Sequence, residues 1–569
     1  MQMLEWIQLI FLILAVILLT IPLGIHIEKV MSPKESTFLD PVVKPVERLI
    51  YRLAGVDPFA EQNWKQYLGS IMGFSLMAFI FTGIIMALQY YLPLNPQKFA
   101  APSWHLNINT SMSFMTNTDW QSYGGESTMS YFSQMAALAV QNFVSPAVGL
   151  AVAAVLVRGL SREKKKTIGN FWADLVRITL YLLLPLAIIS AALFIAEGVP
   201  QNFSSYSQVA TLEGGTQSIA QGPIASQEAI KMLGSNGGGF MNVNSAHPYE
   251  NPTPLTNILQ LILIMLIPAA QIYYFGRSIG DTRHAWCIIA ALFAVFILGV
   301  VVCGYAEAVG NPEYANLGIS GGNWEGKEQR FGIFGSVLYA CATTAVSCGA
   351  VNSMHDSFTP IAGLVPMLNM QLSEVIFGGV GAGLYSILLF VFMAIFIAGL
   401  VIGRTPEYLG KKIESFDIKM TMLAVLPYVL VVHALTSWAC FTKWGIAGIA
   451  NPGAHGFSEI LYAYSSAVAN NGSAFAGLSA NTVGYNLTLS IGFLLGRFLV
   501  IAPVMALAGS LAEKRFHPKT AVSFPVSSLI FILLLIGVIF LLGALAFFPA
   551  LTMGPIIEQF YMLKGKFFT

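Results

Sequence analysis

Four short polar clusters, at positions 115–118, 234–239, 346–350 and 469–473, carry the residue types that could bind a bare cation. They are rich in Gly, Asn, Ser and Thr, and oxygen atoms are hard ligands that suit an alkali cation better than a transition metal. Glycine also tolerates φ > 0, which lets successive carbonyl groups point the same way. A ring of such carbonyl oxygens can replace the hydration shell of K⁺. The clusters therefore predict a K⁺ selectivity filter.

The spacing of the clusters indicates duplication of one unit. Aligning Asn117, Gly237, Gly349 and Gly472 gives separations of 120, 112 and 123 residues. One cluster alone would be typical of a surface turn, but four at matched positions favour a filter that binds K⁺ at these four residues. Because Asn117 stands where the other repeats have glycine, we expect an asymmetric filter. Its predicted residues are Thr116, Asn117, Thr118, Ser235, Asn236, Gly237, Ser347, Cys348, Gly349, Asn470, Asn471 and Gly472.

Three polar residues outside the clusters are candidates for supporting positions. Asp119 and Gln121 follow the first cluster, and we expect them at the pore mouth, where Gln121 would order the first loop unless it is an ordinary surface side chain. Arg497 lies inside an apolar run. A central Arg costs about 2.5–3.5 kcal/mol on insertion scales, so it should face protein or water. We expect a fixed charge that gates the ion path; the alternatives are a side chain that snorkels to the membrane surface and a structural ion pair.

A glycine-rich segment is the second candidate for a gate or conduit. Glu374 is followed by Gly378, Gly379, Gly381 and Gly383 at the start of an apolar run over 372–403. As a straight helix this run would be about 48 Å long, well beyond the roughly 30 Å of a bilayer core. A break in the helix is therefore predicted. The alternative is close helix packing through small residues.

The composition requires membrane-spanning elements to position these residues. Hydrophobic residues make up 56% of the 569-residue chain and charged residues 10%, against roughly 25% charged in soluble domains. The first apolar run has an acidic flank and no small-residue cleavage site, so we interpret it as a retained span. Runs near the required 20 residues predict ten spans, at about 7–27, 67–93, 130–157, 171–196, 256–276, 285–306, 372–403, 420–442, 486–511 and 524–548.

Most of the 29 Lys and Arg residues lie in the loops after the odd-numbered spans, which predicts that these loops are cytoplasmic and both termini extracytoplasmic. Each cluster follows an even-numbered span, so each unit crosses the membrane twice and all copies share one orientation around an axis along the membrane normal. The sequence predicts an all-α membrane protein with four helix–pore-loop–helix repeats around a pseudo-fourfold pore and one extra helix at each end. The predicted units are 1–66, repeats 67–166, 167–283, 284–415 and 416–520, and 521–569.

Several segments make the chain resemble the potassium-binding A subunits of Kdp-type potassium-transporting ATPases: 116–123, 236–240, 247–253, 347–352, 403–410 and 469–475. The resemblance runs essentially end to end. It implies a K⁺-channel-like component of the bacterial inner membrane that works with a P-type ATPase subunit, an extracytoplasmic-facing subunit and a small single-span subunit. Two departures are Asp119, where the family pattern has Asn, and Ser235, where it has Thr.

Two functions remain open from the residues alone. The chain has no Asp-Lys-Thr-Gly-Thr phosphorylation motif and no long basic loop that could form a nucleotide domain, so any ATP hydrolysis must come from another chain. A K⁺-selecting pump subunit and a stand-alone K⁺ channel or ion-coupled symporter would use the same pore; the resemblance favours the pump. We expect K⁺ as the bound and transported ion, no organic cofactor, contact with membrane lipid and no nucleic-acid partner. The five cysteines fit no zinc or disulfide framework.

Overall fold

A computed structural model describes residues 3–32, 35–372, 375–403, 405–517 and 524–566. Within these ranges ten helices are long and apolar enough to cross a membrane, in agreement with the ten predicted spans. Several of them begin at polar capping residues just before the apolar runs. The side chain of Asn63, for example, accepts hydrogen bonds from the backbone N–H groups of Lys65 and Gln66 at 3.0 Å. Asp281, Thr482 and Ser528 cap three further helices in the same way.

The first half of the chain contains the N-terminal helices and two repeats. It begins with α1 (Met3–Met31) and α2 (Asp40–Ala54). The first repeat contains α3 (Trp64–Leu88), α4 (Trp104–Met115), α5 (Gly125–Thr128) and a π-helical turn (Ser133–Ala139) that continues into α6 (Val140–Ser161). The second contains α7 (Phe171–Arg177), a π-helical turn (Ile178–Leu183), α8 (Leu184–Ala196), an antiparallel hairpin of β1 (Ser207–Ala210) and β2 (Thr216–Ile219), α9 (Ile224–Leu233), a 3₁₀ turn (Asn244–Ala246) and α10 (Pro254–Ser278).

The second half contains two more repeats and the C-terminal helices. The third repeat contains α11 (Thr282–Val309), α12 (Pro312–Asn316), α13 (Gly332–Ala345), a 3₁₀ turn (His355–Ser357), α14 (Pro360–Gln371) and α15 (Ala382–Ile402). A small hairpin of β3 (Glu407–Tyr408) and β4 (Lys411–Lys412) leads to the fourth repeat, with α16 (Ser415–Cys440), α17 (Lys443–Ile446), α18 (Gly453–Val468) and α19 (Val483–Glu513). Last come α20 (Leu529–Leu551), a π-helical turn (Thr552–Ile556) and α21 (Ile557–Leu563).

All four repeats share one order of elements. A long helix is followed by a short helix that ends at a polar cluster, and the chain then returns through a second long helix, which is interrupted by a loop in the third repeat. The short helices are α4, α9, α13 and α18, which we call the pore helices. In α6 89% of the most apolar stretch is buried within the protein, against 28% in α1 and in α20. The returning helix α6 therefore lies at the centre of the molecule, whereas the first and last helices lie at its edge.

The seventh predicted span is broken, as its length indicated. The returning chain of the third repeat is divided into α14 and α15, and residues 375–381 between them are not helical. Phe377, Gly378 and Gly381 adopt positive φ there, at 61°, 63° and 81°. The predicted span at 372–403 therefore begins in a loop, and the first helical part of the returning chain lies earlier, in α14.

Candidate functional site

Each pore helix ends in the same hydrogen-bonding pattern. The first residue after the cap has a left-handed backbone: φ is 68° at Asn117, 51° at Ser235, 53° at Ser347 and 52° at Asn470. The N–H of the next residue then donates to the carbonyl five residues earlier. These bonds are Thr118 to Ser113, Asn236 to Lys231, Cys348 to Thr343 and Asn471 to Ser466, at 2.8–3.0 Å. This is the 6→1 bond of a Schellman helix end, and its fourfold recurrence confirms that the clusters are structural repeats.

The same geometry corrects the predicted alignment of the first repeat. Asn117 corresponds to Ser235, Ser347 and Asn470, not to Gly237, so the residue equivalent to the three glycines is Asp119. The predicted alignment was displaced by two residues in the first repeat because it was made from residue types alone, which placed Asn117 opposite the three glycines. The shared helix end was not visible in the sequence, since Asn and Ser here replace the glycine that such helix ends usually carry.

Glycine is needed here mainly for space. A Cβ on Gly349 would lie 2.6 Å from the Cα of Gly237 and 2.5 Å from the carbonyl carbon of Gly472. A Cβ on Gly237 would lie 2.5 Å from the carbonyl oxygen of Thr118. Neither Gly237 nor Gly349 has positive φ, whereas Gly472 has φ 93°. The backbones of all four clusters thus meet at one place, and we call the four segments around it, 116–119, 235–238, 347–350 and 470–473, the filter segments.

Hydrogen bonds join neighbouring filter segments in a closed ring. Asn117 donates to the carbonyl of Ser235 at 3.4 Å, which links repeats one and two. The thiol of Cys348 donates to the carbonyl of Asn236 at 3.0 Å, and Ser347 donates to that of Ala469, the residue directly before the fourth filter segment, at 3.1 Å. The ring closes between repeats four and one, where Asn470 donates to the hydroxyl of Thr118 at 2.9 Å. The repeats are therefore arranged in chain order around one axis.

The electrostatics of this arrangement favour a cation. Four helix C-termini end at the filter segments, and each carries roughly half a negative elementary charge from its aligned peptide dipoles. The carboxyl group of Asp119 is fully buried beside them. A site built from backbone carbonyls, hydroxyls and amide oxygens supplies only the hard ligands that an alkali cation prefers.

Gln121 bridges the first and second repeats at this site. Its amide nitrogen donates to the carbonyl of Gly239 at 3.0 Å, and its amide oxygen accepts from the N–H of Gly239 at 3.0 Å. The same nitrogen lies 3.2 Å from the hydroxyl of Tyr123. Gln121 is thus not a free surface side chain after a turn: it fixes a backbone unit directly after the second filter segment.

Arg497 and the glycine-rich segment lie together near the first filter segment. The Arg497 guanidinium donates to the carbonyl of Ser145 in α6 at 3.1 Å, and the hydroxyl of Ser145 donates to the side chain of Asn117 at 2.8 Å. No carboxylate of the described residues forms an ion pair with Arg497, which is 5% exposed. A Cβ on Gly149, one turn along α6, would lie 3.3 Å from that guanidinium and 2.5 Å from the carbonyl of Val380.

The glycine-rich segment is held against the third filter segment. Gly378 donates to the carbonyl of Ala345, the last residue of α13, at 2.9 Å. A Cβ on Gly379 would lie 3.7 Å from the side chain of Ser347, and one on Gly381 would lie 1.9 Å from the backbone of Gly149. A Cβ on Gly383 would lie 1.7 Å from the carbonyl oxygen of Phe377. The structure therefore brings most of the predicted gate residues together; Glu374 lies outside the described residues.

Sequence reasoning missed two polar residues that connect these parts. Ser145 joins Arg497 to Asn117. Gln271 in α10 accepts a hydrogen bond from the N–H of Gly381 at 2.7 Å and donates to the carbonyl of Gly379 at 3.3 Å. Both lie inside apolar spans, and a polar residue there normally faces the protein interior. The presence of a polar residue in an apolar span was therefore the signal available in the sequence, but it does not identify the residue that the side chain contacts.

Comparison with known proteins places the chain in a family. Residues 10–560 match the family model described as the potassium-transporting ATPase A subunit. A potassium-transporting ATPase potassium-binding subunit of Solibacter usitatus is 54% identical over 545 residues, 96% of each chain. One of Brucella anthropi is 54% identical over 563 residues, 99% of each chain. The potassium transporter TrkH from Vibrio parahaemolyticus shares the fold, with TM-score 0.52 and 12% identity over 88% of this chain and 98% of that one. The chain belongs to the family of potassium-transporting ATPase A subunits.

Proposed function

We propose that this chain binds K⁺ at the ring of filter segments and passes it into an ATP-driven uptake pump, with ATP hydrolysis supplied by a separate subunit. The observation that carries this proposal is the closed ring of four equivalent helix ends around one axis. Its oxygen ligands, its four helix dipoles and its glycine contacts suit a dehydrated alkali cation. Membership of an ATPase A-subunit family favours a pump over a stand-alone channel or symporter.

The finer features of the proposal follow from sequence. We propose K⁺ ligands from the predicted filter residues, with Asp119, in place of Asn117, as the first repeat's counterpart of Gly237, Gly349 and Gly472. The charge distribution supports a multi-pass inner-membrane protein with both termini extracytoplasmic. The partners would be a P-type ATPase subunit that hydrolyses ATP, an extracytoplasmic-facing subunit and a small single-span subunit. The six predicted units remain our proposed division of the chain.

Purification from native membranes tests the proposal. The chain, tagged in its own cell, should co-purify with an ATPase subunit, and the complex should hydrolyse ATP in response to K⁺ but not to Na⁺ at equal ionic strength. Reconstituted vesicles should then accumulate K⁺ only when ATP is present. Passive K⁺ flux through the chain alone, without any co-purifying ATPase, would instead support a channel.

A further inference from the structure

Three ionisable side chains are buried together directly behind the second filter segment. Lys231 in α9 lies 2.6 Å from Glu228 and 2.9 Å from Glu250, measured from its ammonium nitrogen to the carboxylate oxygens. The same nitrogen donates to the side-chain oxygen of Asn244 at 2.8 Å. All three ionisable side chains are at most 1% exposed. The three protons of the ammonium group are therefore all used, in a group that we call the Lys231 cluster.

The Lys231 cluster contacts the backbone that leaves the filter. Asn244, held by Lys231, donates its amide hydrogen to the carbonyl of Gly238. One carboxylate oxygen of Glu250 accepts from the N–H of Met241 at 2.7 Å. A Cβ on Gly239 would lie 2.8 Å from both oxygens of Glu250, so the carboxylate packs against bare backbone. The cluster thus restrains the chain at both sides of Gly239.

This restraint matters because the second filter segment cannot hold its own position. Gly237, Gly238 and Gly239 are consecutive, Gly238 has φ 67°, and glycine has the greatest backbone freedom of any residue. None of the three carries a side chain that could bond to its surroundings. Their position is imposed from outside, by Gln121 on one side and by the Lys231 cluster on the other.

The fourth filter segment is supported by neutral groups. There Ser473 donates to the side chain of Asn471 at 2.5 Å and shares a hydrogen bond of 2.9 Å with the hydroxyl of Tyr462. A buried lysine with two carboxylates is a stiffer support, because moving any member leaves a charge uncompensated in a medium of low dielectric. The charged support thus lies where the backbone carries three successive glycines.

We infer that the Lys231 cluster is a set of positioning residues that fixes the carbonyl geometry of the second filter segment and thereby sets discrimination between K⁺ and Rb⁺. The inference rests on the proposed function. Selectivity between ions of similar size depends on the distances and rigidity of the coordinating carbonyls. Loosening one of four segments should therefore change selectivity while the other three still bind an ion.

The test uses the whole purified complex and measures ATPase activity against K⁺ and against Rb⁺. Lys231→Met should lower the ratio of the Rb⁺ KM to the K⁺ KM by about tenfold, the usual effect of losing an outer-shell partner, with kcat at saturating K⁺ largely retained. The triple variant Lys231→Met, Glu228→Gln and Glu250→Gln should recover part of the assembly and stability lost in Lys231→Met, because no buried carboxylate is left unpaired. Its selectivity should stay low.

A matched control is available in the third repeat. Lys327 and Glu307 form an equally buried pair, 0% exposed and 2.5 Å apart, that touches none of the filter segments in the described structure. Lys327→Met should lower the Tm without changing the KM ratio. The inference is overturned if Lys231→Met lowers the Tm like Lys327→Met and leaves the KM ratio unchanged.

Two further measurements keep the outcome decisive. If Lys231→Met does not assemble, Glu250→Gln, which keeps an acceptor for Met241, should still lower the KM ratio, and an unchanged ratio in that variant would refute the inference. The wild-type complex distinguishes this inference from the proposed function. Absence of any K⁺-stimulated ATP hydrolysis in the wild type would refute the proposed function itself, whereas the KM ratio tests only the Lys231 cluster.

Discussion

At the scale of single residues, the contact distances decide which glycines tolerate a side chain. Gly349→Ala would place a Cβ 2.5–2.6 Å from backbone atoms of Gly472 and Gly237, which cannot move aside as a flexible side chain could. Such overpacking costs about 1–3 kcal/mol, and 1.4 kcal/mol corresponds to about tenfold weaker binding. We expect Gly349→Ala to raise the KM for K⁺ at least about tenfold. Gly73→Ala in α3, where no atom lies within 4 Å, is the control and should behave as wild type.

Cys348 allows a second test at this scale. Its thiol donates to the carbonyl of Asn236 and so forms one link of the ring between filter segments. A thiolate is a soft ligand and K⁺ is a hard cation, so sulfur should not coordinate the ion. We expect Cys348→Ser, which keeps a donor, to retain most K⁺-dependent ATPase activity, and Cys348→Val to lose affinity. Loss of activity in Cys348→Ser equal to that in Cys348→Val would contradict the hydrogen-bond explanation.

What the sequence could not supply at this scale is the partner of each side chain. It identified Gln121 and Arg497 by motif and by burial cost, yet the bonds of Gln121 to Gly239 and of Arg497 to Ser145 join residues 118 and 352 positions apart. It also gave the wrong reason for two glycines. Residue type suggested positive φ, whereas Gly237 and Gly349 are required by the close approach of other backbones. Such approaches depend on tertiary packing.

At the scale of elements, the ten spans and the break in the seventh were predictable because bilayer thickness fixes the length of an apolar helix. The position of the break was less predictable. Apolar composition continues through 375–381, so hydropathy cannot distinguish the loop from α15. The loop exists because Phe377, Gly378 and Gly381 take positive φ. Gly378 then hydrogen-bonds to α13 and Gly381 to α10. Only the glycines in the sequence indicated where this loop lies.

The loop between α14 and α15 gives a prediction for Gly381. Its φ of 81° is strained for any residue with a Cβ, by about 1–2 kcal/mol, and the added atom would overlap Gly149 of α6. We expect Gly381→Ala to displace the loop from α6 and to abolish coupled K⁺ uptake in vesicles. Gly403 also has a positive φ, of 73°, but an added Cβ there would meet no atom within 4 Å. Gly403→Ala therefore controls for backbone strain alone. Equal uptake by the two variants would show that contact with α6 is unimportant.

At the scale of the whole molecule, His455 clamps three distant segments together at the end of α18. Its ring nitrogens lie 2.9 Å from Asp356 and 2.6 Å from Glu558 in α21. The hydrogen bonds and charges of these two carboxylates raise the pKa of His455 to about 10, against the opposing effect of burial. Glu459 is the other carboxylate that faces the ring. The protonated imidazole thus joins the third repeat, the fourth repeat and the C-terminal helix.

The clamp makes stability depend on pH. Because the folded-state pKa of His455 is raised, its contribution is fully present below the unfolded pKa of about 6.5 and is lost as the pH rises through about 10. We expect the Tm of the wild type to fall between pH 7 and pH 10 relative to that of His455→Gln, because the wild type alone loses a protonated imidazole. Thermal melts of the purified complex at both pH values measure this. Parallel Tm curves for the two proteins would contradict the clamp.

The fourfold plan could be inferred from spacing alone, but its function as a pump component depends on what lies beside the filter. A selective filter with an open water path would dissipate the gradient that ATP hydrolysis builds. Arg497 and the glycine-rich loop meet at Gly149, next to the first filter segment. Four repeats with one orientation provide a pore, and these unrepeated features break its symmetry. Arg497 and the glycine-rich loop each occur once, so no other repeat offers a copy for comparison. The sequence could therefore identify both as candidates but could not show that they lie together.

The last prediction concerns the charge of Arg497. Guanidinium keeps its proton at any physiological pH, so the field of Arg497 is permanent. In a narrow site of low dielectric that field opposes K⁺ by an energy on the order of kcal/mol. We expect Arg497→Met, which keeps bulk and removes charge, to leave ATP hydrolysis running while K⁺ uptake per ATP falls, or to permit passive K⁺ flux. Arg497→Lys, which keeps the charge, should be milder.

Flux of K⁺ into proteoliposomes with and without ATP measures both outcomes in one preparation. Arg177→Met is the matched control: Arg177 is equally buried, but it pairs with Glu47 at 3.4 Å and binds the carbonyl of Val30, away from the filter segments. That variant should lose stability and keep its coupling ratio. A normal ratio and no passive leak in Arg497→Met would reduce Arg497 to a packing anchor. The barrier to free passage would then have to come from the glycine-rich loop alone, and Gly381→Ala should leak where Arg497→Met does not.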